Sequence, residues 1–426
     1  MTTEEQLAII ELVKHEVVPA IGCTEPAAVA LAVAKAREVL GKMPDRIEVQ
    51  LSRNMLKNAM GVGIPGTGMV GLPIAVALGA LIGKSTYGLE VLRDVTPKAV
   101  EEGKDLIGRD IMSFEVQEPE TEKVFVQVTC VADGHKSLVR ITGEHNHFSY
   151  VAIDGVVLSH DECGQVEKTP LCHTPLSFQK VCDVALEAPV GQLKFILDAA
   201  KMNGEAADQS RHGNYGHAVA NVVGASAHSF IMGDSIHTRM MAVTSAACDV
   251  RMAGAMVPVM SNSGSGNQGI AATLPVAVFA RETGKSDDEL ARALFLSHLM
   301  LIYIKQNLGR LSPLCGAVMA TTGAACGITY LMGGSCEQIS FAIKNMIGNV
   351  TGVICDGAKP SCALKVSTGV STATISAMMA MENKVVSSIE GIADEDVDKT
   401  IQNLASIGTE GMVETDKLIL KIMQAK

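Results

Sequence analysis

The amino-acid sequence predicts an α+β protein in which a mostly helical catalytic bundle carries an inserted, smaller α+β domain. Aromatic residues make up only 3% of the chain, with no tryptophan, whereas Gly reaches 40 and Met 22. This composition favours close-packed helices over a β-sandwich. In addition, alternating segments are concentrated in one stretch of the chain, and 426 residues are more than a single hydrophobic core usually holds.

The first part of the chain has mainly helical periodicity. Apolar residues recur at helical spacing over 3–17, and a second helix is predicted over 26–40. The segment "RIEVQLS" at 46–52 alternates as a strand does, and 54–84 is helical but interrupted by glycines. Residues 1–84 are therefore expected to form a helical part of the catalytic domain.

Residues 85–189 have the character of the inserted α+β domain. Asp133-Gly134 and Asp154-Gly155 are typical of the tight turns that join neighbouring strands. The segments that alternate as strands do are "DIMSFEVQ", "KVFVQVTCVADG", "HKSLVRITGEH" and "FSYVAIDGVVLS".

The remaining chain, 190–426, is expected to be the helical catalytic domain, without strands. Long segments with helical character follow one another through this part of the sequence. The predicted helices are 191–203, 235–254, 269–282, 287–308, 316–332, 336–347, 362–381 and 394–407.

Charge and hydropathy limit the classes of partner. The formal net charge is -11, and Lys and Arg are scattered without a basic stripe, so a nucleic-acid partner is not expected. The longest apolar run, "MVGLPIAVALGALIG" from Met69, is shorter than the roughly 20 residues of a spanning helix, so no membrane segment is expected.

The acidic N-terminus is unlike a signal peptide, which predicts a cytoplasmic protein. Eleven cysteines in that compartment do not form a disulfide framework.

Three glycine-rich stretches have the spacing of a dinucleotide-binding loop, namely "GVGIPG" from Gly61, "GTGMVG" from Gly66 and "GSGNQG" from Gly264. None has the preceding strand and the later acidic residue that such a loop requires, so a dinucleotide site is disfavoured. The stretch "SNSGSGNQGI" from Ser261 precedes a predicted helix, and its backbone N–H groups suit a small anion such as a substrate carboxylate. A flexible connection between helices explains it equally well.

The densest group of histidines is "EHNHF", which contains His145 and His147. On a strand, these two side chains would share one face and could bind a metal ion. No third ligand lies at a suitable spacing. An ordinary pair of strand or turn histidines is therefore the favoured interpretation.

The late cysteines are more informative. Cys315 lies in "LSPLCGAV", and Cys355 and Cys362 bracket a loop in "GVICDGAKPSCALK". Tight turns of this kind direct backbone N–H groups at thiolate and sulfide sulfurs, so the loops suit an iron–sulfur cluster, although buried unligated thiols explain them too. Three protein ligands would leave one iron of a [4Fe-4S] cluster open, as Lewis-acid chemistry requires.

Cys23, in "IGCTEP", lies at the start of the second predicted helix, with Thr24 as the expected N-cap and Pro26 in the first turn. The helix dipole favours the thiolate by about 0.3–1 kcal/mol, under about one pKa unit, and the adjacent Glu25 opposes it. The helix start alone does not make a thiolate at neutral pH. A cationic cluster or a substrate ammonium would have to contribute the rest.

Together, "IGCTEPAAVALA", "GIPGTG", "SNSGSGNQGI", "SPLCGA" and "ICDGAKPSCALK" resemble the iron-sulfur L-cysteine desulfidase family, which is related to the alpha component of iron-sulfur L-serine dehydratases. The resemblance runs nearly end to end. It implies an enzyme that converts L-cysteine to hydrogen sulfide, ammonia and pyruvate without pyridoxal phosphate. It also implies that Cys315, Cys355 and Cys362 hold a [4Fe-4S] cluster and that Cys23 accepts the proton.

In the expected mechanism, the open iron stabilises the developing carbanion while Cys23 removes the Cα proton, so Cys23 should lie where the three other sulfurs converge. Ser263, Gly264 and Asn267 are expected to bind the substrate carboxylate. Two alternatives stay open: L-serine as the substrate of the same elimination, and a non-catalytic iron–sulfur or zinc protein that senses redox state. The apolar composition also predicts a homodimer.

Overall fold

The computed structural model describes residues 1–119, 122–161, 174–210 and 213–425, and it confirms the predicted α+β class. Among these residues, no helix combines the length and the apolar character needed to cross a membrane. The strands are β1 (Pro19–Ile21), β2 (Arg46–Leu51), β3 (Met112–Val116), β4 (Phe125–Ala132), β5 (His135–Thr142), β6 (Phe148–Ile153), β7 (Val156–His160) and β8 (Pro258–Met260).

Most helices begin and end close to the predicted positions, and local signals set several boundaries. Ser286 and Glu289, for example, form a capping box at the start of the longest helix. The α-helices are α1 (Thr3–Glu16), α2 (Thr24–Leu40), α3 (Arg53–Ala59), α4 (Leu72–Leu81), α5 (Pro97–Gly108), α6 (Phe178–Glu187), α7 (Leu197–Gln209), α8 (Val219–Val223), α9 (Ser229–Met232), α10 (Ile236–Met252), α11 (Gly266–Glu282), α12 (Asp287–Leu308), α13 (Gly316–Leu331), α14 (Cys336–Val350), α15 (Cys362–Met381), α16 (Val397–Ser406) and α17 (Val413–Gln424).

A six-stranded sheet has the order β3-β2-β4-β5-β6-β7, and only the β2–β3 pair is parallel. Helix α2 packs on β4 and β5, and its apolar side chains share one hydrophobic core with α4 and the sheet. Strand β2 comes from residues 1–84, whereas the other five strands come from 85–189. The sheet thus combines both segments, and the division into 1–84, 85–189 and 190–426 stays a prediction.

A second and larger core lies in the helical bundle around α12 and α13. Small residues let these helices approach closely: a Cβ atom on Gly323 of α13 would lie 2.2 Å from the carbonyl oxygen of Ser297 on α12. Helix α1 contributes to this core through Ile9, Ile10 and Val13 rather than to the sheet. The many glycines and few aromatic residues of the sequence predicted this kind of packing, because helices can approach to backbone contact only where side chains are small.

A short ladder connects the N-terminal segment to the bundle. Strand β1 pairs antiparallel with β8, so the expectation of no strands after residue 190 is wrong. Each strand has three residues, which is too short for an alternating pattern to be recognised in the sequence. Beyond the ladder, the Ser261 N–H donates to the Val18 carbonyl at 2.8 Å. The pairing places the segment before Cys23 beside the segment before Ser263.

Candidate active site

One cavity lies between the sheet-bearing part of the chain and the helical bundle. All the residues that the sequence suggested for catalysis, cluster binding and carboxylate binding line it. They are Cys23, Ser263, Gly264, Asn267, Cys315, Cys355 and Cys362. Cys23 and the three late cysteines therefore line one cavity, and their convergence around a substrate stays a prediction.

Four helices begin at this cavity. Helix α2 starts after Cys23, α11 after Ser265, α13 after Cys315, and α15 at Cys362. Helix N-termini present free N–H groups and a partial positive charge, so their convergence favours anionic ligands.

The expected N-cap role of Thr24 is wrong. Cys23 is the N-cap residue of α2, and it forms no side-chain capping hydrogen bond. The Thr24 hydroxyl lies instead 3.1 Å from the Gly264 carbonyl and 3.2 Å from the Glu25 carboxyl group. The reason is tertiary, because the Ser263 loop lies against the first turn of α2.

Backbone pairing places Cys315 beside Cys355. The Cys315 N–H donates to the Val353 carbonyl at 2.9 Å, and the Cys355 N–H donates to the Pro313 carbonyl at 2.6 Å. These bonds form an antiparallel bridge between Leu314 and Ile354. Each cysteine is thus held by the main chain of the other's loop.

Ion pairs and a close backbone contact stabilise the loop between Cys355 and Cys362. The Asp356 carboxylate pairs with both Lys359 and Lys365, and these two ammonium groups hold the pKa of Asp356 at about 2 although burial opposes the shift. At Gly357, φ is 91°, and a Cβ atom would lie 2.3 Å from the carbonyl oxygen of Lys57. Only glycine satisfies both the left-handed conformation and this close contact.

Helix α3 is in turn anchored by the C-terminal helix α17. The Lys57 ammonium, only 1% exposed, forms a buried ion pair with Asp416. Because Lys57 lies under Gly357 and is followed by Asn58 in the cavity wall, this pair supports one side of the site.

Cys315, Cys355 and Cys362 line the cavity with thiols, the ligand type that iron–sulfur clusters take. No group of three or more His, Cys, Asp or Glu side chains in the described ranges is arranged to hold one metal ion. In a cluster, by contrast, each thiolate binds a different iron, so the sulfurs need not meet at one point. Burial, followed by the charges of Cys355 and Cys362, raises the pKa of Cys315 to about 12. A cation that replaces these protons would therefore stabilise the site.

Unsatisfied polar atoms in the cavity wall also indicate a ligand. Gln268 Oε1, Arg251 Nε and His145 Nε2 are buried and have no hydrogen-bond partner in the part of the chain that the structure describes. Buried polar groups without partners are rare in folded proteins and cost free energy. A bound cluster or substrate would offer them contacts.

Arg251 is the basic residue with the largest effect on the pKa of Cys23. It is 3% exposed, and its guanidinium donates to Asn267 Oδ1 at 3.0 Å and to the Gly22 carbonyl at 2.9 Å. Burial raises the pKa of Cys23 to about 12, although Arg251 lowers it in part. A Cβ atom on Gly266 would lie 2.3 Å from Arg251 Nε, so that glycine makes room for the guanidinium.

A buried network holds the Ser263 loop. Asn262 Nδ2 donates to His298 Nδ1 at 2.9 Å, and His298 Nε2 lies 2.9 Å from the Thr273 hydroxyl. The Ser263 hydroxyl donates to Asn262 Oδ1 at 2.7 Å. The loop that contains Ser263 and Gly264, both at positive φ, is thus a hydrogen-bonded turn.

The side chains of His145 and His147 lie in different environments. Both lie in the connection between β5 and β6, but His145 is buried in the cavity wall, whereas His147 bonds to Asp161 at 3.0 Å. They therefore share no site, in agreement with the favoured interpretation of an ordinary pair. The sequence drew attention to His145 only as one of this pair, and its place in the cavity wall was not predicted.

Several further wall residues were also missed. Burial lowers the pKa of Lys305 to about 8, and its ammonium donates to the Arg310 carbonyl at 2.8 Å. Arg310 pairs with Glu16 at 2.8 Å. Arg251, Lys305 and Arg310 lie within or beside helices, where a single basic residue gives no motif.

A buried cavity with thiols, basic side chains and converging helix N-termini defines an enzyme-like site for a small anionic molecule. The chain belongs to the serine dehydratase alpha chain family, whose model matches residues 86–421. This membership confirms the resemblance at the level of the family and indicates an iron–sulfur enzyme of the dehydratase type, a lyase.

Full-length relatives carry a name that describes no activity. The chain is 60% identical to a UPF0597 protein of Bacteroides fragilis, with 100% of each chain covered. It is 51% identical to a UPF0597 protein of Porphyromonas gingivalis and 44% identical to one of Oleidesulfovibrio alaskensis, again with 100% coverage on both sides.

Proposed function

We propose that this protein is an L-cysteine desulfidase, which converts L-cysteine and water to hydrogen sulfide, ammonia and pyruvate. The observation that carries the proposal is the position of Cys23 in the same cavity as Cys315, Cys355 and Cys362. Cys23, at a helix start, lines this cavity together with three thiols that two loops place there. In this cavity Cys23 would act as a base on a substrate held at a cluster of the other three.

Cys315, Cys355 and Cys362 would hold a [4Fe-4S] cluster. With three thiolate ligands, such a cluster leaves one iron open and supplies Lewis acidity toward the substrate. The basic side chains of Arg251, Lys305 and Arg310 line the same cavity and compensate the negative charge of the thiolates.

Cys23 would accept the Cα proton. As the Cα–H bond breaks, the electron pair moves toward Cβ and the β-sulfur leaves as sulfide, giving 2-aminoacrylate. This product tautomerises to an imine, which water hydrolyses to pyruvate and ammonia. Because burial raises the pKa of Cys23 to about 12, the thiolate requires positive charge nearby, and Arg251 together with the substrate ammonium would provide part of it.

The substrate carboxylate would bind at the turn formed by Ser263 and Gly264 and at the start of α11. The first N–H groups of α11, including that of Asn267, have no acceptor within the helix. The Arg310 guanidinium lies beside this turn: a Cβ atom on Gly264 would be 3.6 Å from Arg310 Nη1. The turn therefore combines backbone donors with a cation.

L-Serine is the second candidate substrate, because the matching family is named for serine dehydratase. The same proton removal would then expel the β-hydroxyl group. Sulfide is the better leaving group and a softer ligand for iron, which favours L-cysteine.

The test is an anaerobic purification, reconstitution with iron and sulfide, and an assay of sulfide, pyruvate and ammonia with each amino acid. We expect visible iron–sulfur absorbance and release of all three products from L-cysteine at a higher kcat/KM than release of pyruvate and ammonia from L-serine. A reversed ratio would indicate the serine dehydratase. A cluster without product formation would indicate the redox sensor, and absence of the cluster absorbance would exclude both enzymes.

We further propose that the chain acts as a homodimer in the cytoplasm, where thiols stay reduced. Exposed apolar side chains on α15, among them Leu364, Ile375 and Met378, support a subunit contact. Light scattering of the reconstituted protein would give the mass directly, and a mass equal to one chain of 44.7 kDa would contradict the dimer.

A further inference from the structure

Glu25 is a buried acidic residue in the wall of the cavity. It is 8% exposed, and its two carboxyl oxygens accept hydrogen bonds from Asn58 Nδ2 at 3.0 Å and from the Thr24 hydroxyl at 3.2 Å. Within the described residues, no Lys or Arg forms an ion pair with it. Each carboxylate oxygen has two acceptor sites, so both oxygens keep capacity for another donor.

The charge distribution in the cavity makes Glu25 distinctive. Among the described residues of the cavity wall, Glu25 is the one acidic side chain, whereas Arg251, Lys305 and Arg310 are basic. A ligand cation entering this cavity would be repelled by the basic residues and attracted by Glu25. Burial of an acidic group next to an open cavity, without a cation of the protein itself, indicates that the ligand supplies the cation.

His145 faces the same region of the cavity. Its Nε2 atom is buried and unpaired, and the residue is 8% exposed. Burial lowers the pKa of His145, although the charge of Glu25 opposes this shift, so the ring is neutral at neutral pH. A neutral imidazole offers one nitrogen as an acceptor, which suits a cationic N–H donor.

The Glu25 carboxyl group lies next to the proposed carboxylate turn. The Thr24 hydroxyl is within hydrogen-bond distance of both the Glu25 carboxyl and the Gly264 carbonyl, at 3.2 and 3.1 Å. The Glu25 carboxyl group and the turn that carries the proposed carboxylate site thus lie on either side of one hydroxyl group. The ammonium and carboxylate of an α-amino acid are adjacent in the same way, because both are attached to Cα.

We propose that Glu25 and His145 form the subsite for the α-ammonium group of the substrate, and that this subsite selects α-amino acids over carboxylic acids that lack the ammonium. The inference rests on the proposed cysteine elimination, because it concerns the same cavity. It assigns specificity to residues other than the cluster ligands and other than Cys23. The subsite also orients Cα relative to Cys23, which lies two residues before Glu25.

The test compares two ligands that differ at the ammonium group, L-cysteine and 3-mercaptopropionate. Both carry a thiol and a carboxylate, so both can bind the cluster and the carboxylate turn. Their Kd values are measured by anaerobic titration of the cluster absorbance, in reconstituted protein with Cys23→Ala to prevent turnover. In this background, we expect Glu25→Gln to raise the Kd of L-cysteine about 10- to 100-fold, as expected for lost hydrogen bonds to a charged group.

Under the proposal, the same substitution leaves the Kd of 3-mercaptopropionate unchanged or lowers it, because a negative charge has been removed. His145→Asn should show the same selectivity with a smaller effect on L-cysteine. The matched controls are Glu38→Gln, at an exposed position of the same helix, and His147→Asn, whose side chain bonds to Asp161 outside the cavity. Both controls should leave both Kd values unchanged.

If Glu25→Gln raised the Kd values of both ligands by the same factor, the proposal would be overturned and Glu25 would have a structural role only. An unchanged Kd for L-cysteine would overturn it as well. If Glu25→Gln fails to fold or to bind iron, the two Kd values of the His145→Asn variant test the proposal instead. Among the described residues, the His145 Nε2 atom has no hydrogen-bond partner that this substitution would remove. The proposed function fails separately, when wild-type holoenzyme releases no sulfide from L-cysteine. That result would leave the comparison of the two ligands intact.

Discussion

Cys315 and Cys355 are held side by side by two backbone hydrogen bonds between the segments that carry them, 2.9 Å from Cys315 to Val353 and 2.6 Å from Cys355 to Pro313. Neither bond involves a side chain, so substitution of either thiol leaves the bridge in place. Cys23 approaches the same cavity from α2, which packs on the sheet. Binding of a cluster and removal of a proton are therefore separable by mutation.

Replacement of Cys355 by alanine should abolish iron binding. Two thiols would remain, fewer than the three ligands that the proposed cluster requires, and the backbone bridge should preserve the fold. Iron and sulfide analysis of the reconstituted variant, together with its circular dichroism, measures both effects. The matched control is Cys336→Ala at the start of α14, which should keep iron and activity. Full iron content in Cys355→Ala would contradict the assignment.

Replacement of Cys23 by alanine should leave the iron content unchanged and lower kcat for L-cysteine. Loss of a positioned base typically reduces the rate by about 10²- to 10⁴-fold. The rate of sulfide release and the iron content should be measured on the same preparation. A variant that retains wild-type kcat would show that another group removes the proton.

Gly269→Ala should destabilise the protein and weaken substrate binding. A Cβ atom at this position would lie 2.0 Å from the Met260 carbonyl oxygen, so the backbone of β8 or α11 must move, at a cost of about 1–3 kcal/mol. Gly204→Ala in α7 is the control, since no atom lies within 4 Å of its Cβ position, and alanine there should stabilise the fold by about 0.4–1 kcal/mol. Urea denaturation of both variants gives the free energies of unfolding; equal effects would refute the packing argument.

Mild acid should destabilise the protein through His298. Burial lowers the pKa of this histidine from 6.5 to about 3, so between these pH values the unfolded chain binds a proton that the folded chain does not. Stability attributable to this group is therefore lost as the pH falls below 6.5, by up to about 1.4 kcal/mol per pH unit. Urea denaturation at pH 7 and at about pH 5 would measure the slope.

The comparison protein for that measurement is His298→Asn, which lacks the titrating ring. Its free energy of unfolding is expected to be lower at pH 7, because the bonds to Asn262 and Thr273 are lost. Its decrease between pH 7 and pH 5 should nevertheless be smaller than that of the wild type. Identical slopes in the two proteins would mean that other groups cause the acid sensitivity.

The helices were predictable where a long period or a cap was present. The start and end of α12 and of α15 agree with the sequence-based expectation, because each has many apolar residues at regular spacing. The three-residue strands β1 and β8 were not predictable, since neither contains a full alternating pattern. Helix α17 was missed as well, although its Asp416 forms the buried pair with Lys57.

Some residues of the candidate site could be predicted from the sequence, and others could not. Motifs with unusual residue types at short spacing pointed to Cys23, to the Ser263 turn and to the three late cysteines. Arg251, Lys305 and His145 could not be recognised, because one basic or aromatic residue within a helix or a turn is common in any protein. Their importance follows from burial beside the cavity, which depends on the packing of distant segments.

The sequence by itself determined the α+β class, most helices, and the chemical types of the residues that would do the chemistry. These properties depend on local periodicity, on turn residues and on the reactivity of single side chains. Tertiary structure alone decided that the cysteines line one cavity, that Arg251 lowers the pKa of Cys23 in part, and that Glu25 is the one acidic side chain among the described residues of that wall. The physical reason is that pKa values, ligand sets and specificity depend on distances between residues, which only the packed chain sets.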